Sequence, residues 1–78
     1  MEMFQLRAEE GFIRLGQVLK ASGIADSGAE AKQIIQSGEV CVNGEIETRR
    51  GRKLYKGDIL SFGGREIEIL EYNYHWQK

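Results

Sequence analysis

The chain has 78 residues, a formal net charge of −1 and 41% apolar residues, enough for one small domain with a thin core that must pack well. One cysteine, Cys41, and one histidine, His75, exclude an internal disulfide and a Cys-based zinc site. No apolar run approaches the ~18 residues of a membrane span, and the opening MEMFQLRAEE lacks a basic region followed by an apolar stretch, so a cytoplasmic location is expected.

Residues 1–11 read as an N-terminal extension that contains a short apolar piece, Met3-Phe4-Gln5-Leu6. Phe12 and Ile13 lead into a first helix. Its apolar residues Leu15, Val18 and Leu19 recur at helical spacing, and Gln17 and Lys20 occupy the other side. Gly23 is a natural stop, because glycine accepts the left-handed conformation that ends helices. Ser27 begins a second helix. Its hydroxyl is placed to accept a free N–H three residues on, and Glu30 to reach back to the N–H of Ser27, as in a capping box. The stripe Ala31, Ile34 and Ile35 faces inward, Lys32, Gln33 and Gln36 face outward, and Gly38 ends the helix.

After Gly38 the period changes from helical to alternating. Val40 and Val42 share one face of a strand, with Glu39 and Cys41 on the other. Asn43-Gly44 is a strong signal for a tight hairpin turn, because both residues accept positive φ. In the strand that leaves the turn, Ile46 is expected inward and Glu45 and Glu47 outward. Leu54 anchors the stretch that follows, and Lys56-Gly57-Asp58 reads as a turn. Ile59 to Phe62 and Arg65 to Leu70 form strands around a second tight turn at Gly63-Gly64, with Ile67 and Ile69 on one face. The expected architecture is α+β: a two-helix hairpin packed on a small twisted, mostly antiparallel sheet. The domain is expected over 12–70. An aromatic tail over 71–78 carries Tyr72, Tyr74 and Trp76, for which packing or a dimer contact ranks ahead of stacking on bases.

Charge is the main functional signal. Arg49, Arg50, Arg52, Lys53 and Lys56 fall within eight residues with no acid among them, which leaves the rest of the chain at −6. Arginine grips phosphate oxygens in pairs and lysine adds a point charge. Contacts to roughly three to five phosphates would give a salt slope on the order of −2 to −4 in log K against log[salt]. The competing reading is a solvated loop that offsets acids elsewhere. Its place between strands and the absence of acids favour nucleic acid. Tyr55 beside the cations is a stacking candidate. Lys32 and Gln33 on the second helix are candidates for sugar, phosphate or base edges. Signals for catalysis are weak: the strand carboxylate pairs read as a solvated face, no triad or metal site can be specified around His75, and no phosphate-binding glycine loop occurs.

Five segments together resemble the S-four-like RNA-binding domain, named after small-subunit ribosomal protein four. They are Leu15-Gly16-Gln17-Val18-Leu19-Lys20, Ser27-Gly28-Ala29-Glu30-Ala31-Lys32, Gly38-Glu39-Val40-Cys41-Val42-Asn43-Gly44, Arg49-Arg50-Gly51-Arg52-Lys53-Leu54 and Gly57-Asp58. The small free-standing bacterial ribosome-associated subfamily is the most similar branch. The resemblance implies an alpha-L motif and an RNA-binding surface built by the second helix, its start, and the loop after the first strands. Carried over by position, that surface includes Ser27, Lys32, Gln33, Arg49, Arg50, Arg52 and Lys53, and the residue reading adds Tyr55 and Lys56. Many members of the broader family have arginine directly after the capping serine, where this chain has Gly28. That contact is then absent, or moved to Lys32 or Arg50, and Gly28 is a candidate for close packing.

The expected partner is structured RNA, ribosomal or transfer, with the ribosome or a ribosomal subunit as its setting. The expected role is non-catalytic, in translation or ribosome assembly, with no cofactor, membrane or small-molecule substrate. A protein-interaction adaptor that uses the basic loop and the aromatic tail is the alternative, and an accessory subunit that delivers RNA to a modifying enzyme is a third.

Overall fold

The computed structural model describes residues 1–7 and 10–71. Its elements are β1 (Glu2–Gln5), β2 (Ile13–Arg14), α1 (Leu15–Ala21), α2 (Gly28–Gln36), β3 (Cys41–Val42), β4 (Glu45–Ile46), β5 (Lys53–Leu54), β6 (Ile59–Phe62) and β7 (Arg65–Leu70). The class is α+β, as expected. Five strands form a mixed sheet in the order β1-β7-β6-β3-β4, and β2 with β5 forms a separate two-stranded ribbon.

The helices start and stop for local reasons. Gly23 (φ 81°) and Gly38 (φ 84°) follow α1 and α2 in the left-handed conformation. Ser27 caps α2, its Oγ accepting the Glu30 N–H at 3.1 Å. The Glu30 carboxylate reaches one residue beyond the expected place, to the N–H of Asp26 at 2.7 Å. Leu15, Val18 and Leu19 of α1 and Ala31 and Ile35 of α2 are buried against Val40, Val42, Leu54, Leu60, Ile67 and Ile69. Ile34 is only half-buried at the edge of that cluster.

Two-residue turns set the sheet register. Asn43 and Gly44 have φ of 53° and 86°, so Val42 pairs with Glu45 and Cys41 with Ile46. Directly opposed residues share a face. Ile46 therefore lies beside Cys41 on the outer face and is 66% exposed. Glu47 donates its N–H to the Val40 carbonyl at 2.9 Å, shares the inner face of Val40, and is buried. The expectation of Ile46 inward and Glu47 outward is thus reversed, because the turn register overrides side-chain polarity. Glu45, at the edge, is exposed as expected.

Residues 2–6 of the expected N-terminal extension join the sheet and the core. β1 pairs in parallel with β7, with Phe4 opposite Ile69. Leu6 is buried in the core, and Phe4 packs against it. Arg65 grips the Glu2 carboxylate with two N–H groups, at 2.8 and 2.6 Å, and donates to the Ser22 carbonyl at 3.2 Å. That contact ties β1, β7 and the end of α1 together. Phe12 and Ile13 lead into α1 by way of a short strand. Ile13 forms a strand opposite Leu54. The aromatic tail after Glu71 and its His75 lie outside the described residues. Among the described residues no helix is long and apolar enough to cross a membrane.

Candidate nucleic-acid interface

The basic run is a folded loop built around one carboxylate. Glu47 Oε2 accepts the Arg49 backbone N–H at 3.0 Å and Arg49 Nε at 2.9 Å. Its Oε1 accepts Arg49 Nη2 at 3.2 Å and Arg52 Nη1 at 2.7 Å. Hydrogen bonds from the Arg49 guanidinium, helped by Arg52 and the Arg49 N–H, hold the Glu47 carboxyl down at about 2, against the opposing effect of burial. Four donated hydrogen bonds thus converge on one buried carboxylate.

The other side of the loop is fastened to α1. Leu15 N–H donates to the Arg52 carbonyl and Gly16 N–H to the Arg50 carbonyl, both at 2.9 Å. Arg14 Nη1 donates to the Gly51 carbonyl at 3.0 Å. A turn closes the loop, with Arg52 N–H on the Arg49 carbonyl at 3.2 Å. The Gly51 carbonyl is fixed in this way.

These contacts sort the five cations. Arg49 and Arg52 are committed to Glu47, although the Arg49 side chain remains 73% exposed and presents its outer edge to solvent. Lys56 pairs with Glu71 at 2.8 Å, both side chains exposed, a contact worth little in water. Arg50 and Lys53 are exposed, and neither is in an ion pair among the described residues.

Beside the loop lies a groove of about 360 Å³ between α1 (Gln17, Lys20), α2 (Gly28, Ala31) and the loop itself (Arg50, Gly51). A Cβ added to Gly28 would meet nothing within 4 Å, so Gly28 is not a close-packing residue; its missing side chain leaves the groove open. Lys32 is exposed one turn further along the same face of α2. Gln33 is exposed as well, but lies about 140° round the helix from Gly28 and away from the groove. Ser27 serves as the cap of α2. Tyr55 is 50% exposed and packs beside Phe12, with ring centroids 6.0 Å apart.

Three residues next to the loop escaped the sequence reading. Lys20 adds a cation to the groove, Arg14 braces the loop, and Phe12 stands under Tyr55. Lys20 has helical spacing from Gln17 and was visible as a polar-side residue. Arg14 and Phe12 had no local signal, because a cross-strand pairing places them. Gln17 is spent locally: its Oε1 accepts the Arg14 backbone N–H at 3.0 Å. The scaffold motifs also acquire roles. Asn43 Oδ1 accepts the Ile59 N–H and its Nδ2 donates to Asp58 Oδ1, both at 3.0 Å, which locks the hairpin turn to the turn after β5.

Residues 4–70 match the family model described as the S4 domain. The chain belongs to the S4 domain family. A relative in Bacillus subtilis, described as a probable ribosome maturation protein RlbA, is 48% identical over 52 residues, covering 67% of this chain and 73% of its own. The putative RNA-binding protein YbcJ of Escherichia coli is 38% identical over 58 residues, covering 74% and 83%. The solution structure of YbcJ, whose description refers to an alpha-L motif involved in RNA binding, superposes with a TM-score of 0.65 at 36% identity, covering 90% of this chain and 87% of that one. In this S4 domain the helix pair, the hairpin and the basic loop are joined by the Glu47 cluster and the loop-to-α1 hydrogen bonds described above.

Proposed function

We propose that this S4 domain is a non-catalytic binder of structured RNA, ribosomal or transfer, acting in the cytoplasm in translation or ribosome assembly. The observation that carries the reading is the union of loop and helices in one groove, where Arg50, Lys20 and the start of α2 meet over the open Gly28 position. Phosphates bind where fixed cations and backbone dipoles converge, and the rigid loop supplies them without a large ordering cost. The relatives described as RNA-binding and ribosome-maturation proteins support the same reading.

Exposed Arg50, Lys53 and Lys20, with the outer edge of Arg49, supply the phosphate contacts; Lys32 extends the cationic edge along α2. Ser27, Arg52, Gln33 and Lys56 are peripheral or structural. Three or four phosphate contacts give a salt slope of about −2 to −3. The deciding experiment titrates purified ribosomal RNA and transfer RNA into the full chain across a salt series. Tight, salt-dependent binding that is lost on Arg50→Ala with Lys53→Ala supports the reading. Binding that is indifferent to salt and to both substitutions overturns it. A pull-down after nuclease treatment that retained protein partners would favour the adaptor instead.

A further inference from the structure

The ribbon of β2 and β5 has two sides. Ile13 opposes Leu54 and Arg14 opposes Lys53, so the same register sets Phe12 opposite Tyr55. Alternation then divides the ribbon. Ile13 and Leu54 turn to the core, where Leu54 is fully buried. Phe12, Arg14, Lys53 and Tyr55 share the other side: two aromatics and two cations, interleaved.

This side is arranged, not merely left over. Lys53 Nζ stands 4.8 Å from the centre of the Phe12 ring, and the Arg14 guanidinium carbon 5.6 Å from it. The Tyr55 ring leans on Phe12 at 50°. The backbone of Tyr55 is held at both ends of its peptide units. Its N–H donates to Asp58 Oδ2 at 2.8 Å, and its carbonyl accepts the Asp58 N–H at 3.0 Å. Half of Tyr55 is open to water, and its hydroxyl has no hydrogen-bond partner among the described residues. A ring that served only to cover the core would lie on the Leu54 side. Instead the rings lie on the opposite side, beside the cations Arg14 and Lys53. The ribbon side is also continuous with the basic loop, because Arg14 bonds the Gly51 carbonyl.

We propose that this side of the ribbon is a stacking site for an unpaired base of the bound RNA, with Tyr55 as the platform, Phe12 as its support, and Lys53 and Arg14 on the flanking phosphates. It rests on the RNA-binding reading above and extends it from phosphate contacts to single-stranded segments. A π-face accepts any base, so the site discriminates unpaired from paired RNA and not one sequence from another. The Phe12 and Tyr55 rings are tilted 50° to each other, so a base stacked on Tyr55 does not lie parallel to Phe12.

The test compares oligouridine, a blunt RNA duplex of equal length, and ribosomal RNA as probes of the full chain. Tyr55→Leu keeps bulk and apolarity but removes the π-face. It should lower oligouridine affinity about fivefold to a hundredfold, the range for loss of one base–aromatic stack. Duplex affinity and the salt slope should not change, and Tyr55→Phe should bind oligouridine like the parent. Phe12→Leu should give a smaller loss of the same kind. Equal losses on strand and duplex, or none on the strand, overturn the stacking site. Binding of ribosomal RNA without binding of oligouridine also overturns it and leaves the RNA-binding reading standing. Binding of none of the three probes removes both.

Discussion

Arg49 and Arg52 differ from Arg50 and Lys53 in what holds them. The first two close on Glu47 through four hydrogen bonds that include the Arg49 backbone N–H. The second two are exposed and in no ion pair among the described residues, although Lys53 Nζ lies over the Phe12 ring. Alternating positions in one basic run thus divide into scaffold and presented charge. A charge count treats them alike, whereas their substitutions should fail in opposite ways. Replacing the scaffold cations strands a carboxylate on the inner face, so a variant lacking all four cations would confuse unfolding with loss of binding.

The largest expected effect is on the scaffold side. Glu47→Ala removes the acceptor of all four hydrogen bonds and frees the loop. Net losses of about 0.5–1.5 kcal/mol per hydrogen bond, offset by hydration of the released arginines, sum to about 2 kcal/mol. In a domain this small that is about 10 °C in Tm. Thermal denaturation by circular dichroism reads it. An unchanged Tm would show that the Glu47 cluster is decoration.

On the presented side, Arg50→Ala with Lys53→Ala should leave Tm within about 3 °C, because neither side chain is in an ion pair among the described residues. RNA affinity should fall roughly tenfold or more, and the salt slope should shrink by about 1.5 to 2, one phosphate per cation. A Tm loss equal to that of Glu47→Ala would erase the distinction.

The division also predicts a pH dependence. Glu47 is held at about 2 in the folded chain, below its ordinary 4.5, by hydrogen bonds from Arg49 and then Arg52. The folded state therefore binds fewer protons than the unfolded one across that interval. The stabilisation is fully present above about pH 4.5 and is lost as pH falls from there toward about 2. Glu2 is lowered by its Arg65 hydrogen bond and acts in the same direction. Glu47→Ala should thus flatten the acid limb of a Tm-against-pH curve without removing it.

The same contrast shows how far residues alone can be read. Helix limits were legible because Ser27, Gly23 and Gly38 act on their own neighbours. The hairpins were legible because Asn43-Gly44 and Gly63-Gly64 demand positive φ. The inward turn of Glu47 was legible in principle: a two-residue turn that pairs Val42 with Glu45 must set Val40 against Glu47. Polarity argued the other way, and the arginines that reward a buried carboxylate lie beyond the strand. β1 and the β2–β5 ribbon were not legible, because their partners lie half the chain away or further and no local pattern announces a long-range pairing. The candidate site suffered most from that gap, since the ribbon sets Phe12, Arg14 and Lys53 side by side.

The smallest expected effect tests whether the groove belongs with the presented charge. Gly28 follows the cap of α2 with helical φ, and a side chain there enters open space. Gly28→Arg should change stability little: the side chain meets open space, and leaving glycine at the first helical position is offset by placing a cation at the positive end of the helix dipole. Its guanidinium would stand in the groove with Lys20 and Arg50, one more fixed cation on the same surface. RNA affinity should rise about threefold to tenfold at moderate salt, and the salt slope should steepen by about 0.7–0.9 for the added phosphate. If Gly28→Arg folds normally and the slope does not move, RNA does not enter the groove, and the interface reduces to the loop and the ribbon. If the slope steepens in the parent background but not when Arg50 is already alanine, the added phosphate contact depends on Arg50, and the groove and the loop form a single site.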